Sequence, residues 1–210
     1  MERTELTEKV AQLLAETGPV SIVNAGDPVL RQKTEPFDGQ LDDATLQRLI
    51  VRMRKTMEDT PSAVGLAAPQ IGIPLRLAVL GTPEQLTARL IERGQQPVPF
   101  TVLINPSYRA AGQQRVASFE GCLSVPGWQA VVARPDRIEL RREDERGTPL
   151  VEEYAGLGAR IVQHESDHLD GALYLDRAEL RSLSTVEAVQ ERWGPAGLAA
   201  TAEQLGFPLP

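Results

Sequence analysis

This sequence is sparing with the side chains that most often do chemistry. It holds one cysteine, Cys122, and two histidines, His164 and His168, and aromatic residues make up only 4% of it. One cysteine excludes an internal disulfide. No apolar run approaches the roughly 20 residues of a membrane span. Lys and Arg number 22 against 29 Asp and Glu, giving a net charge of −7 and no basic arm. Direct nucleic-acid binding and membrane attachment are therefore not expected. The stretch Met1-Glu2-Arg3-Thr4-Glu5 is charged and has no secretory apolar core, so with its lone thiol the protein is expected in a reducing cytoplasm. There is no internal repeat and no low-complexity segment. The 210 residues, 41% of them hydrophobic, suit one globular domain over 1–210. It would carry a helical N-terminal extension at 1–19 and a helical C-terminal extension at 178–210.

The two histidines stand four apart, in Gln163-His164-Glu165-Ser166-Asp167-His168. On a helix that spacing puts both imidazoles on one face, one turn apart, where they can hold a single divalent ion. Two histidines scattered at random take this spacing about once in a hundred, before the glutamate is asked for. Glu165 sits beside the pair, within reach of a metal-bound water, and His-Glu-x-x-His on a helix is a metallohydrolase signature. Leu157, Ile161, His164, His168 and Ala172 form one helical stripe. Gly156 and Gly158 mark its start, and Gly171 lies just past its end. A third ligand is needed. Cys122, in Glu120-Gly121-Cys122-Leu123-Ser124, is flanked by glycine and by Ser-Val-Pro-Gly. That context suggests a strand end or bent loop able to offer a thiolate, although a lone cysteine is more often a small buried hydrophobe.

Elsewhere, Leu6, Val10, Leu13 and Leu14 predict a first helix, and Val20–Val23 reads as a strand. Leu46, Leu49, Ile50, Met53 and Met57 predict a second helix over 42–58 whose methionines are core, stopped by Pro61. Leu75–Leu80 reads as a strand after a glycine- and alanine-rich loop. Residues 81–99, with Gly81, Pro83, Gly94, Pro97 and Pro99 around a short helix at Leu86, Leu90 and Ile91, read as a surface insertion. Thr101–Ile104 is a strand ended by an Asn105-Pro106 turn, and another strand leads into Cys122. Gln129–Ala133, Arg137–Arg141 and Leu150–Tyr154 follow, the last two joined by a turn at Asp144–Gly147. Ser184 and Glu187 resemble a capping box for a last helix anchored by Trp193 and ended by Gly194-Pro195. These elements predict an α+β fold, antiparallel sheets around a central metal-binding helix.

Three segments resemble the signature motifs of the peptide deformylases. They are Ala63-Val64-Gly65-Leu66-Ala67-Ala68-Pro69-Gln70, then Glu120 to Ser124, then Gln163 to His168, in the family's order. The flanks at Gly26–Arg31 and Leu169–Arg177 are similar too, and the likeness spans roughly residues 20–180. The resemblance implies a deformylase-like fold and a hydrolase that removes the N-formyl group from the formyl-methionine of newly made polypeptides, at the ribosome. It implies metal ligation by Cys122, His164 and His168 with water in the fourth position, and Glu165 as general base. It gives oxyanion contacts to the Gln70 amide and the Leu123 N–H. Val64, Leu157, Ile161 and the His164 ring would line the methionine pocket, with Gly65 and Gly121 along the substrate. The ion would be ferrous iron, with zinc, nickel or cobalt able to substitute. A monomer is favoured. Glu120 and Asp167 are candidate carboxylates behind the ligands, Glu120 paired with Arg134. Two positions depart from the family pattern: Ala63 replaces a usual glycine and Gln129 a frequent arginine. Trp128, beside Gln129, would flank the cleft or serve packing.

Two other readings remain at this level. A zincin-type endopeptidase would take its third ligand downstream, where Glu179 and Glu187 are the carboxylate candidates. A module with a closed structural metal would need a fourth protein ligand and has no use for Glu165 or Gln70.

Overall fold

The computed structural model describes residues 3–92 and 96–210. Met1, Glu2 and Gly94, named in the expected N-terminal extension and the 81–99 insertion, lie outside the described residues. Helix α1 spans Arg3–Ala15 and α2 spans Asp43–Asp59. The Asp42 carboxylate caps α2 by accepting from the Thr45 N–H at 2.7 Å. Strands β1 (Gly65–Ala67), β2 (Leu77–Leu80), β3 (Thr101–Ala110), β6 (Arg137–Glu143) and β7 (Pro149–Ala155) form an antiparallel sheet in the order β1-β2-β3-β6-β7. Strands β4 (Arg115–Cys122), β5 (Val125–Pro135) and β8 (Ala178–Thr185) form a second antiparallel sheet, β4-β5-β8. Helix α3 (Glu84–Glu92) lies in the 81–99 insertion, whose base is closed by hydrogen bonds between Thr82 and Val98. No helix among the described residues is long and apolar enough to cross a membrane.

Helix α4 spans Gly156–Leu169 and touches both sheets. The large sheet is buried on its two faces, as the period of two along a strand requires. Leu77 and Val79 of β2, with Val102 and Ile104 of β3, face α1 and α2 and meet Leu49, Ile50, Met53 and Met57. Ala78, Leu80 and Leu103 face the other way, with Ile138 and Leu140 of β6, onto Ala159, Ile161, Val162 and Leu169 of α4. Apolar side chains therefore pack around α4, while its polar residues turn toward β4 and β5. The two α2 methionines are core, as expected.

Four local readings are corrected. Val20–Val23 belongs to no sheet; the Val23 N–H donates to the Gln70 carbonyl instead. The first motif is not a loop but strand β1 followed by a 3-10 turn over Ala68–Ile71. Asn105-Pro106 does not end β3. The strand runs on to Ala110 through a register shift after Ile104, with Asn105 at φ 51° and its amide exchanging hydrogen bonds with both backbone groups of Phe37. The C-terminal segment opens with β8, not a helix. Its helix cap is Thr185, which accepts from Ala188 N–H, while Ser184 is still strand and turns back to the Ser182 carbonyl.

Gly171 follows α4 in a left-handed conformation, φ 76°, and a Cβ there would lie 2.8 Å from the Arg31 carbonyl oxygen. Both the conformation and the contact exclude a side chain. Gly171→Ala is expected to lower unfolding stability by about 1–3 kcal/mol. Urea denaturation checks this, and an unchanged midpoint would contradict it.

Candidate metal centre

Each potential ligand comes from an element with a reason to stop where it does. Cys122 is the last residue of β4. There Cys122 pairs with Val125 but Gly121 with Gln129, so Pro126, Gly127 and Trp128 bow out between them. His164 and His168 lie one turn apart on α4, ring centroids 5.1 Å apart and nearly perpendicular. The Cys122 Sγ is 3.2 Å from His168 Nε2. Donor atoms of Cys122, His164 and His168 all lie within 4.8 Å of one another. No fourth side-chain donor joins them among the described residues. Glu179 and Glu187, the downstream carboxylates of the zincin reading, are outside the group.

The surroundings fit an ion. Glu120 is buried and its carboxylate lies 3.1 Å from His164 Nδ1. A carboxylate can only accept, so this contact puts the proton on Nδ1 and leaves the Nε2 lone pair free. Burial opposes ionisation of Glu120, but bonds to Arg134 and His164 hold its carboxyl well below the usual range. For His164, burial again works against charge, yet the bonds to Cys122 and Glu120 leave its pKa raised. Burial, then the charge of His164, lowers that of His168. The His168 Nδ1 and Glu165 Oε2 are buried with no partner. Burial pushes Glu165 up to about 7.

Behind the ligands lies a buried ionic chain. Arg134, on β5, gives two parallel bonds to Glu120, at 2.7 and 2.8 Å, and a third at 2.8 Å to Asp167 of α4. Arg177 forks onto Asp167 from the other side, and Arg160 of α4 reaches Glu120 at 2.5 Å. The Glu120–Arg134 pair anticipated from sequence is thus present, and it is buried rather than an ordinary surface pair. Arg160 was not foreseen, though its place one turn before His164 was a usable signal. Tyr174, stacked on His164 at 6.2 Å and bonded to the Trp128 carbonyl, left no mark in the sequence.

In front of the ligands opens a cleft of about 480 Å³. Val64, Gly65, Gly121, Leu123, Leu157, Ile161 and Glu165 all line it, as do Gln70 and Trp128. The Gln70 amide nitrogen is 3.5 Å from Cys122 Sγ and 3.4 Å from Ser124 Oγ, and its oxygen accepts from Ala67 N–H at 2.9 Å. Leu123 occupies the turn between β4 and β5. A Cβ on Gly65 would fall 2.1 Å from Glu165 Oε1, so the bare backbone there is what admits that carboxylate. Ala63 has no left-handed φ, so its methyl carries no backbone strain; the left-handed residue is Ser62, at 65°. Gln129 lies over Gly121, as expected of a cleft residue.

The profile of the polypeptide deformylases matches residues 19–183. The chain belongs to the peptide deformylase family. Peptide deformylase 3 of Streptomyces avermitilis is 56% identical over 206 residues, 98% of this chain and 92% of that one. The crystal structure of the peptide deformylase from Thermotoga maritima superposes with a TM-score of 0.64 at 36% identity, over 78% of this chain and 99% of that one. A class I type b peptide deformylase from Acinetobacter baumannii with Met-Ala-Ser bound gives 0.68 at 27%, over 77% and 99%. Peptide deformylases are hydrolases of protein synthesis, and the family is metal-dependent.

Arg134 joins two carboxylates, each bonded to one further arginine and Glu120 also to His164. Arg134→Met is expected to cost on the order of 3 kcal/mol in unfolding free energy, because it strands buried charge. Breaking the exposed Arg109–Glu139 pair with Arg109→Met should cost far less, since water screens such a pair. Equal losses in chemical denaturation would contradict the buried chain's role.

Proposed function

We propose that this protein hydrolyses the N-formyl group from formyl-methionyl peptides, with Cys122, His164 and His168 holding one divalent ion and Glu165 moving the proton. The observation that carries this is the buried, unpartnered Glu165 carboxylate beside a three-donor cluster at the floor of an open cleft. A peptide deformylase with Met-Ala-Ser bound fits the product side of the same reaction. When bound, a divalent ion at such a site polarises a carbonyl and acidifies water enough for attack near neutral pH.

The chain's own groups do the rest. Glu165, raised to about 7, is poised both to accept a proton from the attacking water and to return it to the departing amine. The water oxygen bonds to the formyl carbon, the C–N bond breaks, and formate and a free methionyl amine leave. The Gln70 amide and the Leu123 N–H donate to the carbonyl oxygen as it becomes negative. Val64, Leu157 and Ile161 receive the methionine side chain, and Gly65 and Gly121 let the peptide backbone approach. Glu120 fixes the His164 ring, and Asp167 ties α4 to Arg134.

We read the ion as ferrous iron, for which a soft thiolate with two imidazoles is a fitting set; zinc, nickel or cobalt would be accepted by the same donors. We place the protein as a monomer in the cytoplasm, meeting nascent chains at the ribosome. An acidic balance of −7 agrees with a peptide substrate rather than direct nucleic-acid contact.

Glu165→Gln keeps the size and polarity of the side chain and removes the base. Formate release from a formyl-Met peptide should fall by about 10²–10⁴-fold while metal content per chain stays at the parent level. Retained turnover would remove Glu165 from the chemistry, and loss of the ion with the activity would make Glu165 a ligand.

A further inference from the structure

The family match ends at residue 183, yet Val186 and Gln190 line the same cleft as Cys122, His164 and Glu165. Their position follows from β8. Its pairing with β5 sets Ser184 opposite Gln129 and Thr185 opposite Trp128. Thr185 then caps a short helical turn, α5 (Val186–Ala188), which continues into a π-helical turn, Val189–Trp193. Val186 and Gln190 are four residues apart on this turn and so share a face. π-Turns recur at functional sites.

The turn is fastened beyond the cleft. Trp193 is buried, and its carbonyl accepts from the Thr201 hydroxyl. A last turn α6 (Gly194–Ala196) leads to α7 (Leu198–Leu205), and Ala202 and the following Phe207 pack against Val131 of β5. Val186 and Gln190 are therefore held by a folded segment, next to Trp128, which is 45% exposed.

We propose that Val186 and Gln190 contact the substrate beyond its N-terminal methionine and set the sequence preference there, a role that rests on the deformylase reading above. The groups assigned to formyl and methionine come from Val64 just before β1, the 3-10 turn after it, the β4–β5 turn and α4. The α5 wall docks on β5 instead, beside Trp128 and Gln129, leaving it for the residues that follow. A cleft of about 480 Å³ lies within the range that holds drug-sized ligands, more than one amino-acid residue. The chemistry suits an extended peptide. Each peptide unit offers a donor and an acceptor, and the neutral Gln190 amide can answer either. Val186 and Trp128 give apolar surface to a side chain.

The test compares kcat/KM for formyl-Met-Ala and formyl-Met-Ala-Ser. In Gln190→Ala, the ratio of the longer to the shorter peptide should fall roughly threefold to tenfold relative to the parent, the worth of about one hydrogen bond. In Gln190→Glu, the ratio of formyl-Met-Ala-Lys to formyl-Met-Ala-Glu should rise severalfold. Gln190 is exposed, so both variants should melt with the parent. If neither ratio moves, Val186 and Gln190 do not read the substrate and the proposal is overturned while the deformylase reading stands. If the parent releases no formate from any of these peptides, the deformylase reading fails and this one with it.

Discussion

The buried Arg134 guanidinium is the interaction on which the site depends. It lies between Glu120 on β4 and Asp167 on α4, itself on β5, all three nearly inaccessible to water. Its fork of donors meets both carboxylates in a low-dielectric interior, and its charge helps hold the Glu120 carboxyl well below the usual range. That matters because the ligands ride on the same elements: Cys122 two residues after Glu120, and His164 and His168 on either side of Asp167. The guanidinium is planar and forked, so it sets angles as well as distances. A lysine could neutralise one carboxylate but could not hold this bidentate geometry. Glu120 then passes the constraint to His164 through Nδ1.

The fold supplies what the ionic chain cannot. Helix α4 buries Ala159, Ile161, Val162 and Leu169 against the large sheet, which leaves its histidines facing β4, the strand that ends at Cys122. Gly65 on β1 completes the enclosure by having no side chain, so Glu165 is desolvated by backbone rather than by a bulky neighbour. Two carboxylates beside the histidines thus acquire opposite characters. Burial raises Glu165, and no arginine bonds to it. Glu120, nearly as buried, is held ionised by Arg134 and His164. Environment, not residue type, sets the two apart.

Much of this was legible in the chain. The α4 stripe and the buried face of α2 follow from local periodicity, and the three motif segments from their resemblance to the family. What stayed hidden depends on partners distant in sequence. Strand β8 inverts the usual pattern: Ser182 and Ser184 point inward while Leu180 and Leu183 are exposed, since the Ser182 hydroxyl is needed to accept the Val131 N–H. Asn105-Pro106 carries turn chemistry, but the Asn105 amide bonds to Phe37 and keeps β3 going. Arg177 and Tyr174 acquire their roles only when the segment after α4 folds back. The ligand cluster was readable for the opposite reason: with one cysteine and two histidines there were few combinations to choose among.

The central claim is that Cys122, His164 and His168 alone hold the ion and leave a position open. X-ray absorption on the zinc-loaded protein tests it directly. The account predicts one sulfur neighbour at about 2.3 Å and three nitrogen or oxygen neighbours near 2.0–2.1 Å, one of them exchangeable solvent. A spectrum without sulfur, or a fourth protein donor replacing the solvent, would contradict it.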